Sequence, residues 1–126
     1  MIYGVGIDVV EVRRIEDSMA RFGRRLAEKI LSAEECLEYD QSPRKARFLA
    51  RRFAAKEALV KALGTGFRAG LFPGAISVTH DALGKPDFRL TTPISSALEQ
   101  RGICKSHLSI TDEREYALAY VLLESN

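Results

Sequence analysis

The chain carries only two cysteines, Cys36 and Cys104, in 126 residues. They form no C-x-x-C pair and have no histidine at metal-ligand spacing, which argues against a structural zinc site and a disulfide scaffold. Both thiols are expected to be reduced and packed. A strong charge imbalance is also missing. Nineteen Lys and Arg nearly balance seventeen Asp and Glu, for a net charge of +2. Non-specific nucleic-acid binding is therefore not the default expectation, and there is no aromatic motif of the kind that stacks on bases. No stretch approaches the ~18 consecutive apolar residues of a membrane span, and Met1-Ile2-Tyr3-Gly4 has no basic segment followed by a long apolar run. A soluble, cytoplasmic protein that binds neither membrane nor nucleic acid is expected. The histidines, His80 and His107, are far apart, and no serine sits in a nucleophile-elbow context, so covalent catalysis finds no support. No repeat, linker or low-complexity tract interrupts the chain. One domain over residues 1–126 follows, burying about two-thirds of the surface of the unfolded chain.

What is present is organised around residues 51–66. Helix formers run from Arg51 to Leu63 and close on Gly64-Thr65-Gly66, which reads as a helix entering a glycine turn. The whole central helix is expected from about Arg44 to Leu63. Helical spacing puts Glu57 on a stripe with Ala46, Ala50, Ala54 and Lys61, beside an apolar side of Leu49, Phe53 and Val60. A carboxylate and an ammonium one turn apart are ordinarily an exposed pair worth about 0.3–0.5 kcal/mol. The alanines permit a second reading, a groove in which another backbone or a ligand approaches closely.

Residues 2–10 read as a strand, with Val5, Ile7 and Val9 alternating with Gly4, Gly6 and Asp8. Aspartate is disfavoured in strands and costly to bury unpaired, so Asp8 calls for a cation or metal, or for a strand end where it caps the next helix. An apolar stripe of Val12, Ile15, Met19 and Phe22 marks a helix from Glu11, and Arg14, Arg21 and Arg25 follow another line near Arg13 and Arg24. Gly23 breaks the pattern, Arg24–Leu31 resumes it, and Ser32-Ala33-Glu34-Glu35 is a capping box opening a helix through Tyr39. Beyond the central helix come a loop at Phe67–Gly74, a strand at Ala75–Thr79, a turn at Asp81–Pro86, a strand at Asp87–Leu90 and a helix at Thr92–Arg101. The strands His107–Thr111 and Tyr116–Leu123, joined by a polar turn, end the chain as a hairpin. The fold class is α+β, an antiparallel sheet packed against the long central helix.

Two carboxylates in unusual settings, Asp8 and Glu57, suit a hard divalent ion such as Mg²⁺, which takes one or two protein carboxylates and completes its shell with water and substrate phosphate. Lys61, Gly64-Thr65-Gly66 and Lys85 are then candidate phosphate contacts. A helix C-terminus is the negative end of its dipole, so the glycine turn can meet phosphate only through loop amides. Gly64-Thr65-Gly66 is not a Walker loop, and Gly4-x-Gly6 is weak as a dinucleotide signature.

Four motifs, in this order and in a chain of this length, resemble the bacterial holo-acyl-carrier-protein synthases, the small trimeric branch of the 4′-phosphopantetheinyl transferases. They are Gly6-Ile7-Asp8-Val9-Val10-Glu11; Arg52-Phe53-Ala54-Ala55-Lys56-Glu57-Ala58 with Lys61 and Gly64-Thr65-Gly66; Gly84-Lys85-Pro86; and His107-Leu108-Ser109-Ile110-Thr111. The resemblance implies that Asp8 and Glu57 hold Mg²⁺ with the pyrophosphate of coenzyme A, and that Lys61 contacts phosphate and assists the leaving group. It implies nucleotide contacts from Arg52, Gly64, Thr65, Lys85, Pro86 and Thr111, some across a subunit boundary of a homotrimer. It also implies that Arg14, Arg21 and Arg24 dock an acidic helix of acyl carrier protein. The implied reaction transfers 4′-phosphopantetheine from coenzyme A to a carrier-protein serine for fatty acid biosynthesis. Glu57, or a water that it orients, would take the serine proton. One position departs from the pattern: many members carry a histidine after the S-I-S/T tripeptide, where this chain has Asp112. A carboxylate there repels phosphate, so phosphate binding at that place must rest on surrounding cations or backbone. A different class remains open on the residues alone: a basic-faced binding module for RNA or an acidic protein, with Asp8 and Glu57 in a structural contact.

Overall fold

The computed structural model describes residues 1–68 and 70–126. Among these the order is β1 (Ile2–Glu11), α1 (Val12–Phe22), α2 (Arg24–Ile30), α3 (Ala33–Gln41), α4 (Lys45–Leu63), a 3-10 turn at Pro73–Ala75, β2 (Ile76–His80), β3 (Pro86–Leu90), α5 (Thr92–Gln100), β4 (Ile103–Asp112) and β5 (Tyr116–Ser125). The expected α+β architecture is present. Ala69, within the loop expected at Phe67–Gly74, lies outside the described residues.

α4 is the core of the molecule. Leu49, Ala50, Ala54, Ala55, Ala58 and Leu59 are fully buried along it. Its end is set by Gly64, whose φ of 81° is left-handed and whose N–H returns to Val60 O at 3.0 Å. β1 lies directly on this helix, and small residues on both sides make that possible. A Cβ on Gly6 would stand 2.0 Å from Ala58 O, and one on Gly4 would stand 2.2 Å from Ala62 O. Backbone therefore meets backbone, and Asp8, next on the same face of the strand, is carried up to the helix.

The strands do not form one sheet. β1, β5 and β4 make an antiparallel sheet in that spatial order, while β2 and β3 pair only with each other. The free edge of β2 is occupied at Val78, whose N–H donates to Glu35 Oε2 at 3.0 Å. The capping box at the start of α3 supplies that carboxylate: Ser32 N donates to Glu35 Oε1 at 2.9 Å and Glu35 N to Ser32 Oγ at 3.3 Å. Buried Lys56 of α4 completes the knot, donating to Glu35 Oε1 at 2.6 Å, Ile30 O at 2.7 Å and Pro73 O at 3.0 Å. With this much of its hydrogen-bonding capacity used, the buried ion pair ties α2, α3, α4 and β2 together. Burial lowers the affinity of the Lys56 ammonium for its proton, and Glu35 opposes that.

The sheet face turned away from α4 is apolar and uncovered. Val5, Ile7 and Val9 are about half exposed, and β5 sets Leu122, Tyr120 and Leu118 opposite them. This inverts the usual arrangement, in which the branched residues of a strand face the core and the polar ones face out.

Candidate active site

Asp8 is held mid-strand, in register with Ala119 of β5, so it is not a helix cap; Glu11 occupies the N-cap of α1. Its largely covered carboxylate meets Lys61 of α4, with Nζ 2.9 Å from Asp8 Oδ1 and 3.2 Å from Ile7 O. The i,i+4 pair expected between Glu57 and Lys61 is replaced by this cross-element contact. Glu57 lies beside the pair, and its carboxyl holds its proton more tightly than usual, first because of burial and then because of the Asp8 charge, with Lys61 partly offsetting both. Two carboxylates and one ammonium thus share a small volume where β1 crosses α4. Gly64 and Thr65 follow one turn beyond Lys61.

The other expected site residues lie elsewhere. Lys85 and Pro86 stand at the end of the β2–β3 hairpin, where Asp81 Oδ1 accepts from Leu83 N at 2.9 Å and Lys85 N at 2.8 Å and leaves the Lys85 side chain in solvent. Pro86 opens β3, a position that needs no backbone donor. Its register partner His80 feels the charges of Arg52 and Arg51 and binds its proton less tightly, chiefly through burial. The hairpin end is therefore near the first half of α4. Thr111 is exposed on the outer face of β4, opposite Leu118.

Arg52 is buried rather than free. Its Nη2 donates to Glu38 Oε2 at 3.0 Å, its Nε lies 3.3 Å from Glu35 Oε2, and its guanidinium sits 4.4 Å over the Phe48 ring. Asp112 is likewise occupied: Arg47 Nη2 lies 2.8 Å and Arg51 Nη1 3.5 Å from its Oδ2. The carboxylate that sequence reading treated as a source of repulsion is thus outnumbered by arginines. Arg47, Arg51 and Lys56 belong to a run of six cations without an anion between Asp40 and Glu57, a pattern that suggests acidic partners or phosphates; the structure pairs Arg47 and Arg51 with Asp112, and Lys56 with the capping-box residue Glu35.

Arg14 and Arg21 are exposed on α1, the latter 5.2 Å from the Phe22 ring. Arg24 is engaged by Asp40, in part through Nη2–Oδ2 at 3.1 Å, and by Glu28 at 3.8 Å. Of the two cysteines expected to be packed, Cys36 is half-buried and Cys104 is exposed. His107, expected on a half-buried strand, is exposed and lies 2.8 Å from Glu124 Oε1.

Comparison with known proteins gives this geometry a family. The family described as the 4′-phosphopantetheinyl transferase superfamily matches residues 4–121, and the chain belongs to it. Within that class, a holo-[acyl-carrier-protein] synthase of Laribacter hongkongensis is 49% identical over 124 residues, covering 98% of this chain and 99% of the relative. The crystal structure of holo-[acyl-carrier-protein] synthase from Neisseria meningitidis superposes with a TM-score of 0.96 at 45% identity, covering 99% of this chain and all of that one. A holo-(acyl-carrier-protein) synthase from Bacillus anthracis, solved in complex with CoA (3′,5′-ADP), superposes with a TM-score of 0.82 at 38% identity, covering 100% of this chain and 99% of that one.

Proposed function

We propose that the protein, as a single domain, transfers the 4′-phosphopantetheine group of coenzyme A to a serine of apo acyl carrier protein, releasing adenosine 3′,5′-bisphosphate. The observation that carries this reading is the meeting of Asp8, Glu57 and Lys61 at the crossing of β1 and α4, in a chain whose full-length relatives are holo-acyl-carrier-protein synthases. Fatty acid biosynthesis in the cytoplasm is the setting this implies; among the described residues no helix is long and apolar enough to cross a membrane.

The donor set fits a hard divalent cation. Glu57 is pushed toward its protonated form partly by the Asp8 charge, which a cation between the two would relieve, and both supply only oxygen. Among the described residues no third His, Cys, Asp or Glu joins them, which leaves coordination positions for water and substrate phosphate, as Mg²⁺ prefers. Asp8 and Glu57 would hold Mg²⁺, which when bound polarises the pyrophosphate. Lys61, oriented by Asp8 and the Ile7 carbonyl, places an ammonium against the charge that develops on the leaving bisphosphate. Glu57, whose raised proton affinity makes it a better base than an ordinary carboxylate, takes the serine proton.

Arg14 and Arg21 offer exposed guanidinium forks to the carboxylates of an acidic carrier helix, with Arg24 at the edge of that face. The uncovered apolar face of β1 and β5 supports a homotrimer, and Thr111 lies on the same side, where it would reach a neighbouring subunit's nucleotide. Gly64, Thr65, Lys85, Pro86 and Arg52 complete the proposed coenzyme A contacts, Arg52 through Glu35, whose carboxylate holds the Val78 N–H of β2, rather than by a free charge. A thermal-shift comparison tests the reading: coenzyme A with Mg²⁺ should raise the melting temperature and RNA should not. A shift with RNA alone would overturn it in favour of a binding module.

A further inference from the structure

Lys56 precedes Glu57 on α4 and is fully buried. Consecutive helical residues stand ~100° apart, so the two side chains leave α4 in different directions, Glu57 toward Asp8 of β1 and Lys56 toward α2 and α3. An ammonium has three donors, and Lys56 uses all of them: on Glu35 Oε1 at 2.6 Å, Ile30 O at 2.7 Å and Pro73 O at 3.0 Å. These acceptors sit in the first turn of α3, at the last residue of α2 and in the 3-10 turn. The Glu35 carboxylate is itself held by the Ser32 and Val78 N–H groups. Arg52, one turn before Lys56 on the same side of α4, brings its Nε to 3.3 Å from the other oxygen of that carboxylate. One buried carboxylate thus grips α4 at two points a turn apart.

Stability alone does not call for such a grip, because apolar residues of similar volume in place of a buried ion pair are often neutral or stabilising. What the pair adds is direction. On the opposite side of α4, β1 rests on the helix through Gly4 and Gly6 against Ala62 and Ala58, and apolar contact of that kind is non-directional. A turn of α4 by ~20° about its axis would sweep a side-chain end at ~5–6 Å radius through about 2 Å. That is enough to carry Glu57 away from Asp8 and Lys61, and a ~1 Å misplacement at a reacting centre can cost ~100-fold.

We propose, resting on the transferase reading, that Lys56 and Glu35 are positioning residues, which fix the rotation of α4 and so hold Glu57 beside Asp8 for the divalent cation. Both act through Glu57.

Replacing one partner strands a buried charge, so the test replaces both, Lys56→Met with Glu35→Gln, the glutamine keeping a carbonyl for the Val78 N–H. The rise in melting temperature given by Mg²⁺ alone is measured first. Turnover then gives the Mg²⁺ concentration for half-maximal rate and KM for the carrier protein. The paired variant should fold, lose at least half of the Mg²⁺-induced rise, and need at least tenfold more Mg²⁺. Its KM for the carrier should stay within twofold of wild type, since Arg14 and Arg21 lie on α1, outside the knot. A lowered melting temperature with an undiminished Mg²⁺ rise and an unshifted Mg²⁺ requirement would overturn the assignment, because a loss of folded protein scales the rate without moving either quantity. Where the paired variant does not fold, Lys56→Met alone, in which Glu35 keeps Arg52, is read in the same way; failure of both to fold would assign the pair to stability and likewise overturn the proposal. A wild type that neither responds to Mg²⁺ nor modifies the carrier sinks the transferase reading itself. An active, Mg²⁺-responsive wild type whose variants keep the response sinks only the positioning role.

Discussion

Lys61 of α4 reaches 2.9 Å to Asp8 of β1, and among the described residues Glu57, one turn back on its own helix, has no salt bridge. Burial and the Asp8 charge then raise the proton affinity of Glu57. Because its folded pKa lies above the ordinary value of 4.5, the protonated form stabilises the fold fully below that value. The contribution is lost as pH rises through the folded pKa. Without a divalent cation, wild-type melting temperature should therefore fall more than that of Glu57→Gln as pH is raised from about 4 to about 7. Added Mg²⁺ should raise it by an amount that grows with pH, and Glu57→Gln should lose that response. Parallel profiles for the two proteins would contradict the coupling.

The approach of β1 to α4 predicts a large effect from a single methyl group. In Gly6→Ala the new carbon would meet Ala58 O at 2.0 Å, so the strand must move off the helix. Overpacking of this kind costs about 1–3 kcal/mol, measurable by denaturant unfolding. The same displacement carries Asp8 away from Lys61 and Glu57, so turnover should fall further than the lost stability explains. Normal activity in a destabilised Gly6→Ala would show that the strand position does not matter to the chemistry.

On α1, replacing Arg14 and Arg21 together by alanine should raise KM for the carrier protein, more steeply at high salt, with KM for coenzyme A unchanged. Arg24→Ala should have a smaller effect, because Arg24 already answers Asp40 and Glu28. An equal effect on both substrates would argue against a docking face.

The exposed row Val5, Ile7 and Val9 predicts self-association. Ile7→Glu puts a charge in the middle of that face, and sedimentation equilibrium should find single chains where the wild type forms trimers. A wild type that sediments as single chains would remove the trimer.

Much of this was legible in the sequence because it is local. The Gly4-x-Gly6-x-Asp8 alternation announced a bare strand face bearing one carboxylate, and the Ser32–Glu35 capping box announced the start of α3. What escaped is long-range. Periodicity treats Arg52 and Lys56 as surface residues, and only their meeting with Glu35 explains how a charged stretch of α4 is buried. The same Glu35 takes the Val78 N–H on the edge of β2, which no local pattern around Val78 signals. Asp112 and Arg47 are 65 residues apart and meet only when β4 returns along α4. The apolar face of β1 has the composition of a core face, and periodicity could not tell that the structure leaves Val5, Ile7 and Val9 about half exposed.

The most direct test of the central claim is the mass of apo acyl carrier protein after incubation with coenzyme A, Mg²⁺ and either wild-type protein or Glu57→Gln. The wild type should add the phosphopantetheine increment to the carrier serine, and a folded Glu57→Gln should add none at matched time. An unmodified carrier with the wild type, or undiminished modification by Glu57→Gln, would contradict the account.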